Sequence, residues 1–148
     1  MTSSLHSPFP DPLPLIDTPD ASDVQFLDDR IYEFNAAATG IDDARLLAVI
    51  LRDPDQNIIA GIYGWTWGHC CEVRILWVHE RWRGHGLGSR LMAAAEREAR
   101  ERGATQMVLS THSFQAPGFY RRLGFESVGH VDDYPTGHQS VFLRKSLR

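Results

Sequence analysis

Several features that would place the chain in other classes of protein are missing from its 148 residues. No apolar run approaches the roughly 20 residues that cross a bilayer. The first fifteen residues lack the basic and then apolar segments of a secretory signal. The net charge of −4 and the pI near 5.9 argue against nucleic-acid binding as the main activity. We therefore expect a cytoplasmic protein with neither a membrane nor a nucleic acid as its partner.

Cysteine is scarce as well. The two cysteines, Cys70 and Cys71, are adjacent. Neighbouring residues on a strand point to opposite faces, so we expect no disulfide between them. There is no CxxC pair, and the histidines do not fall at the spacing of metal ligands. The sequence therefore predicts two buried, reduced thiols and no bound metal.

The composition that remains suits one folded domain. Hydrophobic residues make up 43% of the chain and charged residues 23%, and a chain of this length and composition can bury a core. Prolines are frequent near the start. We expect a flexible arm over residues 1–12 and a single domain over residues 13–148.

Periodicity and turn signals predict short strands interrupted by helices. A first strand is expected at residues 13–17. A helix is expected from Ser22, which has capping-box spacing to Gln25, to about Ala38, with Gly40 as its stop.

Further along, a hairpin and then another strand are predicted. Residues 45–53 and 57–67 form the hairpin, joined by "PDQ", and residues 70–79 form the next strand. One face of this strand is predicted to carry Glu72, Arg74, Leu76 and Val78. A helix with the stripe Leu87, Leu91, Ala95 and Ala99 follows and ends at Gly103. A strand "QMVLSTH", a short helix "APGFYRRLG" and a final strand "VFLRKSL" complete a mixed α/β fold.

The most informative stretch is "VHERWRGHGLGSRLM", residues 78–92, which has three glycines between a strand and a helix. A Walker loop would need a lysine after Gly88, and a GxGxxG fingerprint has no third glycine here. Amides at a helix start lack partners inside the helix, and glycines let phosphate approach them closely. Arg81 and Arg83 add charge-assisted contacts. We predict an anion cradle, with a tight turn that binds nothing as the alternative.

Two motifs in this sequence resemble those of the GNAT superfamily of N-acetyltransferases. "LWVHERWRGHGLGSRLM" is similar to its acyl-CoA signature, Arg/Gln-x-x-Gly-x-Gly/Ala, and "APGFYRRLGFE" to its helix with Ala-x-x-x-Tyr before Leu-Gly-Phe. The resemblance covers roughly residues 46–147. It implies a mixed, mostly antiparallel central sheet with a splayed parallel strand pair, "EVRILWV" and "QMVLST", flanked by helices.

The resemblance also implies acetyl-CoA as co-substrate. The main chain of Leu76 and Val78 would pair with the pantetheine arm, and the N–H of Leu76 would polarise the thioester carbonyl. The pyrophosphate would be held by Arg83, Gly84, His85, Gly86, Leu87, Gly88 and Ser89. Tyr120 matches a tyrosine that protonates or hydrogen-bonds the leaving thiolate, although a packing role alone is the alternative.

The acceptor side carries weaker signals. An alkylammonium must lose a proton before it attacks, and Glu72 is our first choice of base if no bulge separates it from Leu76. An ordinary surface glutamate is an equal alternative, and His112 and His138 are further candidates for the base. Trp65, Trp67 and His138 are expected to contact the acceptor, while a core role is the alternative for the tryptophans.

The resemblance thus implies transfer of an acetyl group to a primary amine by direct attack in a ternary complex. The acceptor would be a small molecule or a peptide amine, and the protein is a possible homodimer. The alternative is a non-catalytic acyl-CoA-binding sensor or interaction module of the same fold. The chain departs from many relatives at Ser113, where they have asparagine, and at the pair Pro117 and Gly118.

Overall fold

The computed structural model describes residues 8–148, so the first seven residues of the predicted arm lie outside the described part. The chain divides after Gly40 into two units. The predicted strand at residues 13–17 is wrong, because that segment has neither helical nor strand structure. Among the helices of residues 8–148, none has the length and apolar character needed to cross a membrane.

The first unit contains one helix, α1 (Ala21–Thr39). Its N-cap is Asp20 and not the predicted Ser22, and no side chain caps the first turn. Gly40 ends the helix as predicted. Its φ of +72° is left-handed, and its N–H donates to the carbonyl of Ala36 at 2.8 Å.

The second unit contains one six-stranded sheet and two helices. In chain order its elements are β1 (Arg45–Arg52), β2 (Ile58–Trp67), β3 (Cys70–Val78), a 3₁₀ turn (Glu80–Trp82), α2 (Leu87–Glu101), β4 (Gln106–His112), α3 (Pro117–Arg122), β5 (Glu126–Asp132) and β6 (Gln139–Ser146). The strand β5 was not predicted, because its residues are almost all exposed and show no alternation of buried and exposed side chains.

The strands lie in the order β1-β2-β3-β4-β6-β5. Every neighbouring pair is antiparallel except β3 and β4, which are parallel and are connected through α2. A parallel connection needs such a crossover, whereas the predicted hairpin of β1 and β2 needs only a tight turn. The implied fold class, a mixed sheet with one splayed parallel pair and flanking helices, is confirmed.

The core lies between one face of the sheet and α2. The buried stripe of α2 includes Leu91, Ala95 and Ala99, as the periodicity predicts. The two alanines have at most 1% of their surface exposed, and their small side chains let the helix pack closely on the sheet. They meet buried strand residues such as Ile62 and Leu143.

A partly buried ion-pair network ties α2 to β6. Lys145 Nζ donates to Glu96 Oε2 at 2.6 Å, and Arg100 Nη2 donates to Glu96 Oε1 at 2.9 Å. Burial alone would raise the pKa of Glu96, but the hydrogen bonds and charges of Lys145 and Arg100 outweigh it, so the pKa lies below its ordinary value. The network therefore stabilises the fold only while Glu96 is ionised.

We predict that Glu96→Gln lowers the free energy of unfolding by about 0.5 to 1 kcal/mol at pH 7, since the pair is partly hydrated. Because the folded-state pKa is depressed, this difference is present above about pH 4.5 and disappears as the pH falls through the lowered pKa. Urea unfolding at pH 7 and pH 3 measures both values. Glu101→Gln, an exposed carboxylate on the same helix, is the control; an equal loss there would contradict the network.

Candidate active site

The site begins where β3 and β4 separate. Their parallel pairing runs from Cys70 and Gln106 to Val73 and Leu109, and it stops there although both strands continue. At the same level Arg74 is an extra residue in β3, because the pairing with β2 shifts by one position there. This bulge turns the second half of β3 away from β4 and opens a gap within the sheet.

Gly64 makes the bulge possible. This residue of β2 pairs with Val73 of β3. A Cβ atom at position 64 would lie far inside contact distance of the carbonyl oxygen of Glu72. Any side chain would therefore push the two strands apart. An isolated glycine inside a strand is a signal for a bulge or a close backbone approach, so this feature could have been found in the sequence.

The main chain of β3 beyond the bulge points hydrogen-bonding groups into the gap. The N–H of His79 donates to the carbonyl of Ile59 at 2.8 Å, which makes these two residues a hydrogen-bonded pair of the ladder. Bonded and non-bonded pairs alternate along antiparallel strands. The N–H and C=O groups of Leu76 and Val78 therefore point away from β2, on the side where β4 has separated.

The predicted cradle, residues 83–89, connects β3 to α2 and is called the glycine loop below. Gly84 and Gly86 have φ values of +76° and +77°, which favour glycine, and Gly86 is the N-cap of α2. No side chain caps the helix, and the first-turn amides of residues 87–89 have no partner within an α-helix. A Cβ on Gly84 or Gly86 would meet no atom within 4 Å, so the space beside the loop is open.

Two side chains hold the glycine loop in place. Arg83 Nε donates to the carbonyl of Val78 at 2.9 Å, so the guanidinium is fixed at the end of β3. Nδ1 of His85 lies 2.9 Å from the carbonyl of Arg83. His85 is directed onto the loop backbone and does not line the cleft described next.

A cleft of about 1130 Å³ joins the gap in the sheet to the glycine loop. It lies between the second half of β3 and the start of α2 on one side and the end of β4 and α3 on the other. The predicted residues that line it are Leu76, Val78, Arg83, Gly84, Gly86, Leu87, Gly88, Ser89, Tyr120 and, among the further candidates for the base, His112. Its lining also includes Arg74 and Arg122 and, among residues 8–148, no carboxylate, so the cleft is electropositive.

Tyr120 reaches the cleft from α3, where Pro117 occupies the first turn. The side chain is buried against the rings of Phe119 and Phe125, at centroid distances of 5.1 and 5.9 Å. Burial raises the pKa of Tyr120 above its ordinary value. The phenol is therefore protonated at neutral pH and can act as a hydrogen-bond donor.

The predicted position of Glu72 needs correction. Glu72 pairs with Trp65 and Leu76 pairs with Ile62, and these two partners are three residues apart on the regular strand β2. Glu72 and Leu76 therefore lie on opposite faces of the sheet. The bulge at Arg74 reverses the alternation, and Glu72 does not line the cleft.

The aromatic residues predicted to contact the acceptor also lie outside the cleft lining. Trp65 and Trp67 pair with Glu72 and Cys70, in the half of β3 before the strands separate. Trp67 Nε1 donates to the carbonyl of Ile41 at 2.9 Å. His138 packs edge-on against Phe114 at a ring-centroid distance of 4.9 Å. Phe114 lines the cleft, but His138 does not. This placement gives the predicted contacts no support.

A different aromatic cluster lines the cleft at the end of β4. His112 stacks on Phe114 with a centroid distance of 5.3 Å and meets the ring of Tyr134 edge-on at 5.2 Å. Neither Phe114 nor Tyr134 was singled out as a site residue from the sequence. Both lie on irregular segments, and only the fold brings them together at the end of β4.

Only one of the two cysteines is buried as predicted. Cys71 is fully buried, whereas Cys70 is half-buried, and both are free. Burial, followed by the neighbouring Cys70, raises the pKa of Cys71 to about 11. A thiol with such a pKa is almost entirely protonated at pH 7 and is a poor nucleophile.

The chain belongs to the GNAT family of acetyltransferases, since residues 9–125 match the "Acetyltransferase (GNAT) family" profile. The resemblance seen in the two motifs is therefore confirmed. The chain is 46% identical over 90 residues to blasticidin-S acetyltransferase of Streptomyces morookaense; these cover 60% of this chain and 64% of that protein, less than two thirds of its length.

Two further relatives match nearly their whole length. Acetyltransferase Atu2258 of Agrobacterium fabrum is 32% identical over 131 residues, which are 88% of this chain and 96% of that protein. The crystal structure of an acetyltransferase from Bacillus cereus superposes with a TM-score of 0.73 at 26% identity, covering 90% of this chain and 98% of that one.

We predict that Gly64→Ala destabilises the protein by more than about 2 kcal/mol, because the added Cβ overlaps the backbone of β3. Thermal and urea unfolding measure the loss. Gly129→Ala in β5 is the matched control, since a Cβ there meets no atom within 4 Å. Equal stability of Gly64→Ala and the wild type would show that the bulge tolerates a side chain.

Proposed function

We propose that this protein transfers the acetyl group of acetyl-CoA to a primary amine of a small molecule or peptide. The observation that carries the proposal is the opening between β3 and β4 after Val73 and Leu109, with the main-chain groups of Leu76 and Val78 turned into it. An extended pantetheine arm has amide groups of its own and fits such a gap as an additional strand.

The glycine loop supplies the other end of the binding site. First-turn amides of α2, the positive end of its dipole and the side chain of Arg83 suit a pyrophosphate. The open space beside Gly84 and Gly86 lets such a group approach the backbone. Arg83 is anchored to Val78 through Nε, which leaves its two terminal nitrogens available as donors.

Bound acetyl-CoA would supply an activated acyl group, and the chain's residues would direct its transfer. The N–H of Leu76 polarises the thioester carbonyl, where negative charge develops during attack. The phenol of Tyr120 donates a proton or a hydrogen bond to the departing sulfur. The cleft holds amine and thioester together, so the amine attacks directly and no enzyme thiol carries the acyl group.

The acceptor class rests on the relatives. Because one of them is named for blasticidin S, we include that antibiotic in a panel of primary amines, amino acids and peptides. The experiment is thiol release from acetyl-CoA across this panel, with calorimetry of acetyl-CoA binding in parallel. Turnover of at least one amine supports the transferase. Binding without turnover of any amine would instead make the domain a non-catalytic acyl-CoA-binding module.

We predict that Gly86→Val raises the dissociation constant for acetyl-CoA at least about tenfold, or about 1.4 kcal/mol. A branched side chain is strained at a φ of +77° and occupies the space beside the helix amides. Calorimetry measures binding, and circular dichroism checks the fold. Gly40→Val, at a φ of +72° after α1, controls for strain alone. If Gly86→Val binds acetyl-CoA with normal affinity, the glycine loop does not hold the pyrophosphate.

We predict that Tyr120→Phe lowers kcat by about 100-fold or more and changes the affinity for acetyl-CoA little, since only the proton donor is lost. Because burial raises the pKa of Tyr120, wild-type activity that depends on this donor is lost only above about pH 10. Steady-state rates from pH 6 to 10.5 test both points. Tyr63→Phe on β2 is the control. An unchanged kcat for Tyr120→Phe would show that Tyr120 is not the proton donor.

A further inference from the structure

The proposed reaction needs a group that removes a proton from the acceptor ammonium. The charged and titratable side chains that line the cleft are Arg74, Arg83, Arg122, Tyr120, Tyr134 and His112. Arginine remains protonated at all relevant pH values, and a tyrosine is a proton donor near neutrality. Within residues 8–148, His112 is therefore the one lining side chain suited to accept a proton.

His112 occupies the right part of the sheet for this role. It is the last residue of β4, three positions beyond Leu109, where pairing with β3 ends. The ladder with β6 is regular from Gln106 to His112, so His112 points to the face opposite that of the buried Leu109 and Thr111. Tyr120 belongs to the core on the other face. The two side chains thus border the gap from opposite faces.

The hydrogen bond of His112 fixes its tautomer. Nδ1 lies 3.0 Å from the main-chain carbonyl oxygen of Tyr134. A carbonyl oxygen only accepts hydrogen bonds, so Nδ1 carries the hydrogen. In the neutral ring Nε2 then has the free lone pair. The bond to Tyr134 also becomes stronger when the ring takes up a proton, because a charged donor makes a shorter and stronger hydrogen bond.

The side chains around His112 hold its ring in place. Within residues 8–148, no carboxylate contacts that ring. Phe114 stacks on one side and the ring of Tyr134 meets it edge-on. From the loop before β6, His138 contacts Phe114 and not His112. The nearby acids are bound elsewhere: Asp132 accepts from Gln139 and Asp133 from the N–H of Gly137. Arg122 of α3 and Arg74 of β3 line the same cleft.

We propose that His112 is the catalytic base that deprotonates the acceptor, an assignment that rests on the proposed function. Nε2 of His112 takes one proton from the ammonium and later releases it to solvent. The freed lone pair forms the N–C bond to the acetyl carbonyl carbon, and the C–S bond breaks with its electron pair on sulfur. Tyr120 gives a proton to that sulfur and is restored by the second proton leaving the nitrogen.

The test uses His112→Asn, because the side-chain amide of asparagine can still donate to the carbonyl of Tyr134 but cannot act as a base. With an alkylamine that the wild type acetylates, we expect kcat/KM at pH 7 to fall about 100-fold or more. The acid limb of the wild-type pH profile should be replaced by a continuous rise with pH, as the free amine becomes more abundant. Acetyl-CoA affinity and the melting temperature should stay near wild-type values.

A second acceptor separates base catalysis from a structural role. With an arylhydrazine, whose terminal nitrogen is largely unprotonated at pH 7, the defect of His112→Asn should shrink to within about threefold of wild type. His130→Asn, an exposed histidine on β5, is the control. A 15N spectrum of histidine-labelled protein should show the Nδ1–H tautomer at His112, and the Nε2–H tautomer would overturn the proposal.

The outcomes distinguish this assignment from the proposed function. If the wild type acetylates no amine, the proposed function fails and the base role fails with it. If amines are acetylated and His112→Asn keeps the wild-type pH profile, only the base role is overturned. The same holds if His112→Asn loses activity equally toward the alkylamine and the arylhydrazine, since such a result means that His112 only shapes the cleft.

Discussion

The arrangement of this protein depends on one extra residue in a strand. Arg74 interrupts the ladder between β2 and β3, and the close approach that it requires is possible because Gly64 has no side chain. The bulge ends the pairing of β3 with β4, orients the main chain of the second half of β3 toward the gap, and decides which side chains reach it. The gap between β3 and β4 and the main-chain groups of Leu76 and Val78 that face it both follow from this local irregularity.

The sequence could predict those parts of the site that consist of contiguous residues. The glycine loop and the helix of Tyr120 depend on local backbone chemistry, and the structure has both where they were predicted. The register of β3 could not be read from its own residues, because the signal for the bulge is Gly64 in the neighbouring strand β2. Glu72 was placed with Leu76 on the assumption of a regular strand, and one inserted residue reversed its side of the sheet.

Other differences arise from tertiary structure. Trp65 and Trp67 form a convincing aromatic stripe, but only the pairing partners of β2 show which end of the sheet they occupy. The edge strand β5 carries almost no buried side chains and so lacks the hydrophobic signal of a strand. His112 was only one of several candidates in the sequence; the carbonyl of Tyr134, 22 residues later, is what distinguishes it. The cytoplasmic location and the dimer stay predictions.

Where a sheet opens between two of its central strands, the unpaired parts of those strands are edges too, in addition to the two outer edge strands. Exposed edges generally invite pairing with other chains, and proteins protect them by keeping them short, bent or charged. Here the unpaired run of β3 is brief, begins at the charged Arg74 and faces into a concavity rather than outward. The same concavity that would admit the proposed pantetheine arm therefore also shields this inner edge from the β-strands of neighbouring molecules.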